Sequence, residues 1–244
     1  MGIKVCTWNS QGYKFGDGTI STLLSMHNID ILCLQECGIL SNISFTPFNN
    51  IKYGLWSLNR KTAYSVLYYE WGASSNGSRC NMAILINNTI KIQHAICMKP
   101  VTTTLTADCE EEETEAETGE GHLRSGLRGM LHTLIEKDSN KYRIANVHLP
   151  SGRPKFARKI GYTFLSMPFM QAEGVIMVGD FNTTPDTWEL GSFHNCIVAK
   201  NAYSYPSRDK NLDYMITTIF PSSINANVIS APNSDHLPVL FDIP

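Results

Sequence analysis

Four short polar signatures, each set against an apolar run, constrain this chain more than any other feature: Thr7-Trp8-Asn9, Gln35-Glu36, Gly179-Asp180-Phe181-Asn182 and Ser234-Asp235-His236. Each puts a carboxylate, an amide or an imidazole at the end of what reads as a buried strand. Several such strand ends can surround one hard cation with oxygen ligands. The signatures extend from residue 7 to residue 236, so the fold must bring distant strand ends to one place. Any cut would part residues that the chemistry needs together, and residues 1–244 are therefore expected to form a single domain.

The strand pattern sets the fold class. Ile3 to Asn9 reads as a strand, Thr19 to His27 as a helix and Ile29 to Gln35 as a second strand. Tyr64–Tyr69, Asn81–Ile86 and Ile90–Met98 then follow as β-rich runs, with turn chemistry at Ser74–Ser78 and Asn87-Asn88. Leu127–Ile135 and Tyr142–Val147 form another strand pair, the second delivering His148. Arg153–Gln171 reads as a helix broken late by Pro168. Val175–Val178 delivers Asp180, Leu212–Thr218 delivers Asp213, and Val239–Phe241 closes the sheet after His236. Few strand pairs have the helical crossover that parallel pairing requires. The expected class is therefore α/β of the α+β kind, with two packed mixed sheets flanked by helices, not a doubly wound parallel sheet.

Charge and cysteine content narrow the function classes. The formal net charge is −2, but Asp108 to Glu120 holds eight of the 22 acidic residues and no Lys or Arg. The remainder sets 20 basic against 14 acidic groups, a mildly basic body that suits a polyanionic partner. Residues 107–126 read as an acidic, Gly-rich loop insertion, since strands resume on both sides. The seven cysteines form no CxxC pair, which argues against a zinc site; Cys109 and Cys196 look the most exposed. The longest apolar runs fall far below the roughly 18 residues that cross a bilayer, and no signal peptide is visible.

For the candidate residues, the local pattern leaves two readings open. In extended backbone Asp180 and Asn182 would face one side and Phe181 the core; the same residues are also common in a polar turn. Glu36 ends a buried run, where a carboxylate is costly unless a metal or a salt bridge compensates it. His236 stands beside Asp235 and could take a proton from water, with Asp213 fixing its tautomer. His148 fits either a core position or an acid–base role.

Taken together, these residues resemble the endonuclease/exonuclease/phosphatase family, which includes deoxyribonuclease I and the catalytic B subunits of cytolethal distending toxins. The toxin-like stretches are Thr7-Trp8-Asn9-Ser10-Gln11-Gly12, Trp56-Ser57-Leu58, Ser78-Arg79-Cys80-Asn81-Met82-Ala83-Ile84, Leu212-Asp213-Tyr214 and Ser234-Asp235-His236-Leu237-Pro238. The resemblance implies a four-layered sandwich and Mg²⁺-dependent phosphodiester cleavage, with Mn²⁺ or Ca²⁺ as substitutes. It implies Asn9, Glu36 and Asp235 as metal ligands, Asp180 and Asn182 as positioning groups for water and phosphate, and His236, oriented by Asp213, as base. It further implies His148 as acid and Arg79 and Arg128 as phosphate clamps.

Two features depart from the family pattern. No carboxylate in the Trp56–Arg60 region stands ready to pair with His148, and the acidic insertion lies just before Arg128. By analogy the chain is a DNase, the enzymatic part of a secreted genotoxin that acts on DNA in the nucleus of target cells. Other toxin subunits would deliver it, one of them tethered through a free cysteine such as Cys196. The same scaffold also hydrolyses inositol phospholipid phosphates, which makes a phosphoinositide phosphatase the alternative. A binding protein with a dead site is the reading least compatible with this residue set.

Overall fold

The computed structural model describes residues 2–11, 17–40, 43–70, 81–98, 129–151, 154–166, 172–231 and 234–244. Among them the strands form two mixed sheets. The first runs β13 (Asn225–Val228), β14 (Val239–Ile243), β1 (Ile3–Asn9), β2 (Ile31–Gln35), β6 (Met82–Asn87), β5 (Ala63–Tyr69), β4 (Ile51–Ser57) and β3 (Phe45–Phe48). The second runs β11 (Asn195–Ile197), β12 (Asp213–Thr217), β10 (Gly174–Asp180), β9 (Asn140–His148), β8 (Met130–Lys137) and β7 (Lys91–Met98).

The alternation of side chains along each strand builds the layers. Val5, Ile31, Cys33 and Ile84 of the first sheet meet Ile144, Ile176 and Val178 of the second in one shared core. The opposite face of the first sheet, with Cys6, Trp8, Leu32 and Leu34, packs on Ile20, Leu23 and Leu24 of helix α1 (Asp17–His27). The far face of the second, with Ala145, Val147 and Met177, packs on Ile160 and Phe164 of helix α2 (Pro154–Ser166). This is the expected four-layered α/β sandwich. Each large apolar side chain buried in it contributes roughly 1.5–3 kcal/mol, which the ordering of the chain largely offsets.

Among the described residues two of the strand pairings are parallel, β1 with β2 and β9 with β10, and each carries a helix in its connection. The carboxyl ends of these four strands are Asn9, Gln35, His148 and Asp180. Asn9 pairs with Gln35, and Asp180 with both His148 and Asp213. Each sheet thus contributes one row of strand ends. Beneath them a buried amide bridge joins the sheets: Gln35 Nε2 donates to Asn146 Oδ1 at 2.6 Å, and Asn146 Nδ2 donates to the carbonyls of Leu34 and Ala83.

Several boundaries differ from the sequence reading. The strand expected from Ile29 starts at Ile31, because Asn28 takes a left-handed φ of 52° that ends α1, and Ile29 N–H closes onto Leu24 O. β3, β4, β11 and β13 were not legible. Pro47 and Gly54 interrupt the first two, and their Asn49-Asn50 turn is held by the other sheet, with Asn50 bonding both Cys97 O and Cys97 N–H. The turn expected at Ser74–Ser78, the acidic insertion at 107–126 and the end of the helix beyond Ser166 lie outside the described residues.

Candidate active site

The two rows of strand ends enclose a cleft of about 120 Å³ lined by Asn9, Gln11, Glu36, His148, Ser151, Asp180, Asn182, Asp235 and His236. No Lys or Arg is among these lining residues. Gln11 and Ser151 were not singled out from the sequence. Gln11 lies within the toxin-like stretch Thr7–Gly12, though no role was drawn from it, and for Ser151 the only signal was its place three residues after His148.

Asp180 stands at the centre. Its carboxylate accepts Asn9 Nδ2 at 2.9 Å through Oδ2 and the backbone N–H of Asn182 at 2.8 Å through Oδ1. Burial first, and then the charge of Asp213, push this carboxyl up to about 6, against the lowering influence of His236, Asn9 and Asn182. The strand reaches Asp180 through Gly179, whose φ of 151° and close approach to β9 leave no room for a side chain: a Cβ there would lie 1.9 Å from Val147 O.

Of the two readings left open for Asp180 and Asn182, extended backbone and polar turn, the structure has the turn. Asn182 has a left-handed φ of 51°, its N–H donates to Asp180 Oδ1 to close an Asx turn, and its Nδ2 separately donates to Leu149 O at 2.8 Å. Both side chains still face the cleft, by way of a turn instead of a strand. Glu36 and Gln11 are left-handed too, with φ of 49° and 54°. Three cleft residues therefore hold a conformation that costs on the order of 1 kcal/mol each, the kind of local strain found where a site is built.

His236 is fixed from several directions. Its N–H donates to Ser234 Oγ, its carbonyl accepts Trp8 Nε1, and Ser234 Oγ in turn donates to Asn9 O. Its Nδ1 lies 2.7 Å from Asp213 Oδ2, which leaves Nε2 toward the cleft, 3.9 Å from Asp180 Oδ2. Burial alone would lower the imidazole, but Asp213, followed by Asp180 and Asp235, outweighs it and holds the ring up at about 9. Asp213 itself is completely buried, with backbone N–H held by Ser204 Oγ at 3.0 Å. Ser204 is another residue the sequence reading missed.

His148 lies across the cleft, with Nε2 at 3.5 Å from Asp180 Oδ2 and 3.7 Å from Glu36 Oε1. Two carboxylates thus face it, though none was expected from Trp56–Arg60. Asp235 is exposed at the mouth. Arg79 and Arg128 lie outside the described residues.

The donor set fits a hard divalent cation. Glu36, Asp180 and Asp235 offer carboxylate oxygens to one small cleft lined by no Lys or Arg, a set of hard oxygen donors. Asp180, Asp213 and His236 also group their ligand atoms within 4.8 Å. Asp213 is engaged with His236 Nδ1 and both oxygens of Asp180 accept hydrogen bonds, while Glu36 and Asp235 are the other two carboxylates that line the cleft.

A family model described as the Endonuclease/Exonuclease/phosphatase family matches residues 6–236. The chain belongs to this family. Endonuclease/exonuclease/phosphatase proteins are typically divalent-metal dependent, and membership supports a hydrolase that cleaves phosphoester bonds. The cytolethal distending toxin of Haemophilus ducreyi is similar in structure at 21% identity, with 98% of this chain and 97% of that one covered and a TM-score of 0.68. An endonuclease/exonuclease/phosphatase family protein of Leptotrichia buccalis matches at 14% identity over 99% of each chain, with a TM-score of 0.66. The human Nocturnin catalytic domain matches at 16% identity, covering 99% of this chain and 93% of that one, with a TM-score of 0.61. At these identities the likeness is one of fold. No curated protein gives a significant sequence match. Among the described residues no helix is long and apolar enough to cross a membrane.

Proposed function

We propose that this protein is a Mg²⁺-dependent phosphodiesterase that cuts DNA, acting as the catalytic part of a secreted toxin of the cytolethal distending kind. The observation that carries the reading is the His236–Asp213 pair, whose free Nε2 opens onto the acidic cleft between the two sheets.

In this reading Asn9, Glu36 and Asp235 would hold the cation, which would supply charge neutralisation of the phosphate and stabilisation of the leaving oxygen. Asp180 and Asn182 orient the attacking water and the phosphate. His236 takes the proton of that water at Nε2, while Asp213 holds Nδ1–H and steadies the imidazolium that forms. His148 protonates the leaving oxygen from the opposite wall. Arg79 and Arg128 clamp phosphate oxygens. Residues 1–244 act as one catalytic unit. Delivery subunits, extracellular release and action in the nucleus belong to the same proposal, with the fold likeness to the toxin as their support.

The family description also covers phosphatases, so substrate class is tested directly. Supercoiled plasmid and soluble phosphoinositides are incubated with the protein in Mg²⁺. Nicking with little phosphate release is the expected result. Phosphate release without nicking would move the assignment to a phosphoinositide phosphatase, and inactivity on both, together with no Mg²⁺ effect on thermal stability, to a binding protein.

A further inference from the structure

The segment between β11 and β12 bears on the His236–Asp213 pair through two adjacent residues. Ser204 is fully buried, and its Oγ accepts the N–H groups of both Leu212 and Asp213 at 3.0 Å. Its carbonyl accepts Leu237 N–H at 2.8 Å, one residue beyond His236, and its own N–H donates to Asn211 Oδ1. One residue thus ties the chain beside the histidine to the chain bearing the carboxylate.

Tyr205 follows directly. Its N–H donates to Lys210 O at 2.9 Å and its carbonyl accepts Lys210 N–H, which closes a short turn and fixes its backbone. Its ring lies against the His236 imidazole with centroids 4.7 Å apart and planes tilted by 43°. The backbone of His236 is already held by Ser234 and Trp8, so the remaining freedom is rotation of the imidazole about its own side-chain torsions. A hydrogen bond at Nδ1 restrains that rotation at one point of the ring, and an aromatic surface alongside restrains the rest.

We propose that Tyr205, anchored through Ser204, is a positioning residue that holds the His236 imidazole in the plane where Nδ1 meets Asp213 and Nε2 faces the cleft. This rests on His236 serving as the base. Tyr205 touches the base and not the reacting atoms, so its loss acts on the chemical step. A ring rotated even modestly from the productive geometry loses rate out of proportion to the displacement.

The test compares Tyr205→Phe and Tyr205→Ala with the wild type, by steady-state hydrolysis and by the low-field proton resonance of His236 Nδ1–H. Tyr205 is only half-buried, so both variants are expected to fold. Tyr205→Phe keeps the ring and should keep both kcat and the resonance. Tyr205→Ala should lower kcat by about 10-fold with KM within about 2-fold, and should broaden or shift the resonance. Unchanged kcat and resonance in Tyr205→Ala would overturn the proposal, and so would equal losses in the Phe and Ala variants. Should the wild type hydrolyse no phosphodiester, the proposed function fails, yet the resonance comparison still decides the role of Tyr205.

Discussion

Asp213 Oδ2 lies 2.7 Å from His236 Nδ1, and this contact sets which nitrogen of the imidazole faces the cleft. A carboxylate there favours the tautomer with hydrogen on Nδ1 and leaves the Nε2 lone pair for a proton from water. Asp213→Asn is expected to present the wrong tautomer and lower kcat by roughly 10²–10⁴-fold. Because the two residues act as a unit, Asp213→Asn combined with His236→Ala should cost little more than either alone. Additive losses in steady-state rates would argue for separate roles.

Cation binding should move a proton. His236 stands at about 9 with Asp213, Asp180 and Asp235 around it, so near pH 8 the ring carries its proton. A cation at Glu36 and Asp235 favours the neutral ring, and proton release on Mg²⁺ addition is the expected outcome. Calorimetry in two buffers of different ionisation enthalpy measures it. His236→Ala should remove the release while retaining Mg²⁺ binding; identical heats in the two buffers for the wild type would refute the assignment.

Much of this site was legible because Asn9, Glu36 and Asp180 end or follow strands whose apolar runs announce them. What the sequence could not carry is the pairing across the fold. Asn146 is a fully buried amide between Ala145 and Val147, and its reason lies more than a hundred residues away in Gln35. Ser204 and Tyr205 sit in a stretch of turn-forming residues with no periodicity, and only the return of the chain at Asp213 and His236 gives them work. For Asn182 the local pattern of alternate polar residues permitted an extended run and a polar turn alike. The hydrogen bond from Asn182 N–H to Asp180 Oδ1 is what turns the chain there.

Gly179 offers a test of how the second row of the site is made. Its φ of 151° and the 1.9 Å approach of a Cβ to Val147 O mean that Gly179→Ala must separate β9 from β10 at the Gly179–Val147 pair, one residue before His148 and Asp180. Destabilisation of at least about 3 kcal/mol is expected in urea unfolding, with hydrolysis impaired in whatever fraction stays folded. A cost below about 1 kcal/mol would contradict this close approach.

His132 predicts the acid limb of stability. It is 2% exposed, and burial first, then Arg143 and His94, hold its pKa down at about 3. Between pH 6.5 and 3 the unfolded chain takes up a proton that the folded chain refuses, so stability is lost as pH falls through this window, by about 4 kcal/mol in all. His132→Gln should flatten the fall in melting temperature over this range. The same steep fall in the variant would place its cause in other groups.

The central claim is that His236 is the base of a metal-assisted phosphodiesterase, and plasmid nicking tests it most directly. Wild type and His236→Ala are compared on supercoiled DNA with Mg²⁺ and with chelator. Open-circular product should form only with wild type in Mg²⁺, and the variant should be slower by roughly 10²–10⁴-fold. Wild-type nicking by His236→Ala in Mg²⁺, or undiminished nicking in chelator, would contradict the account.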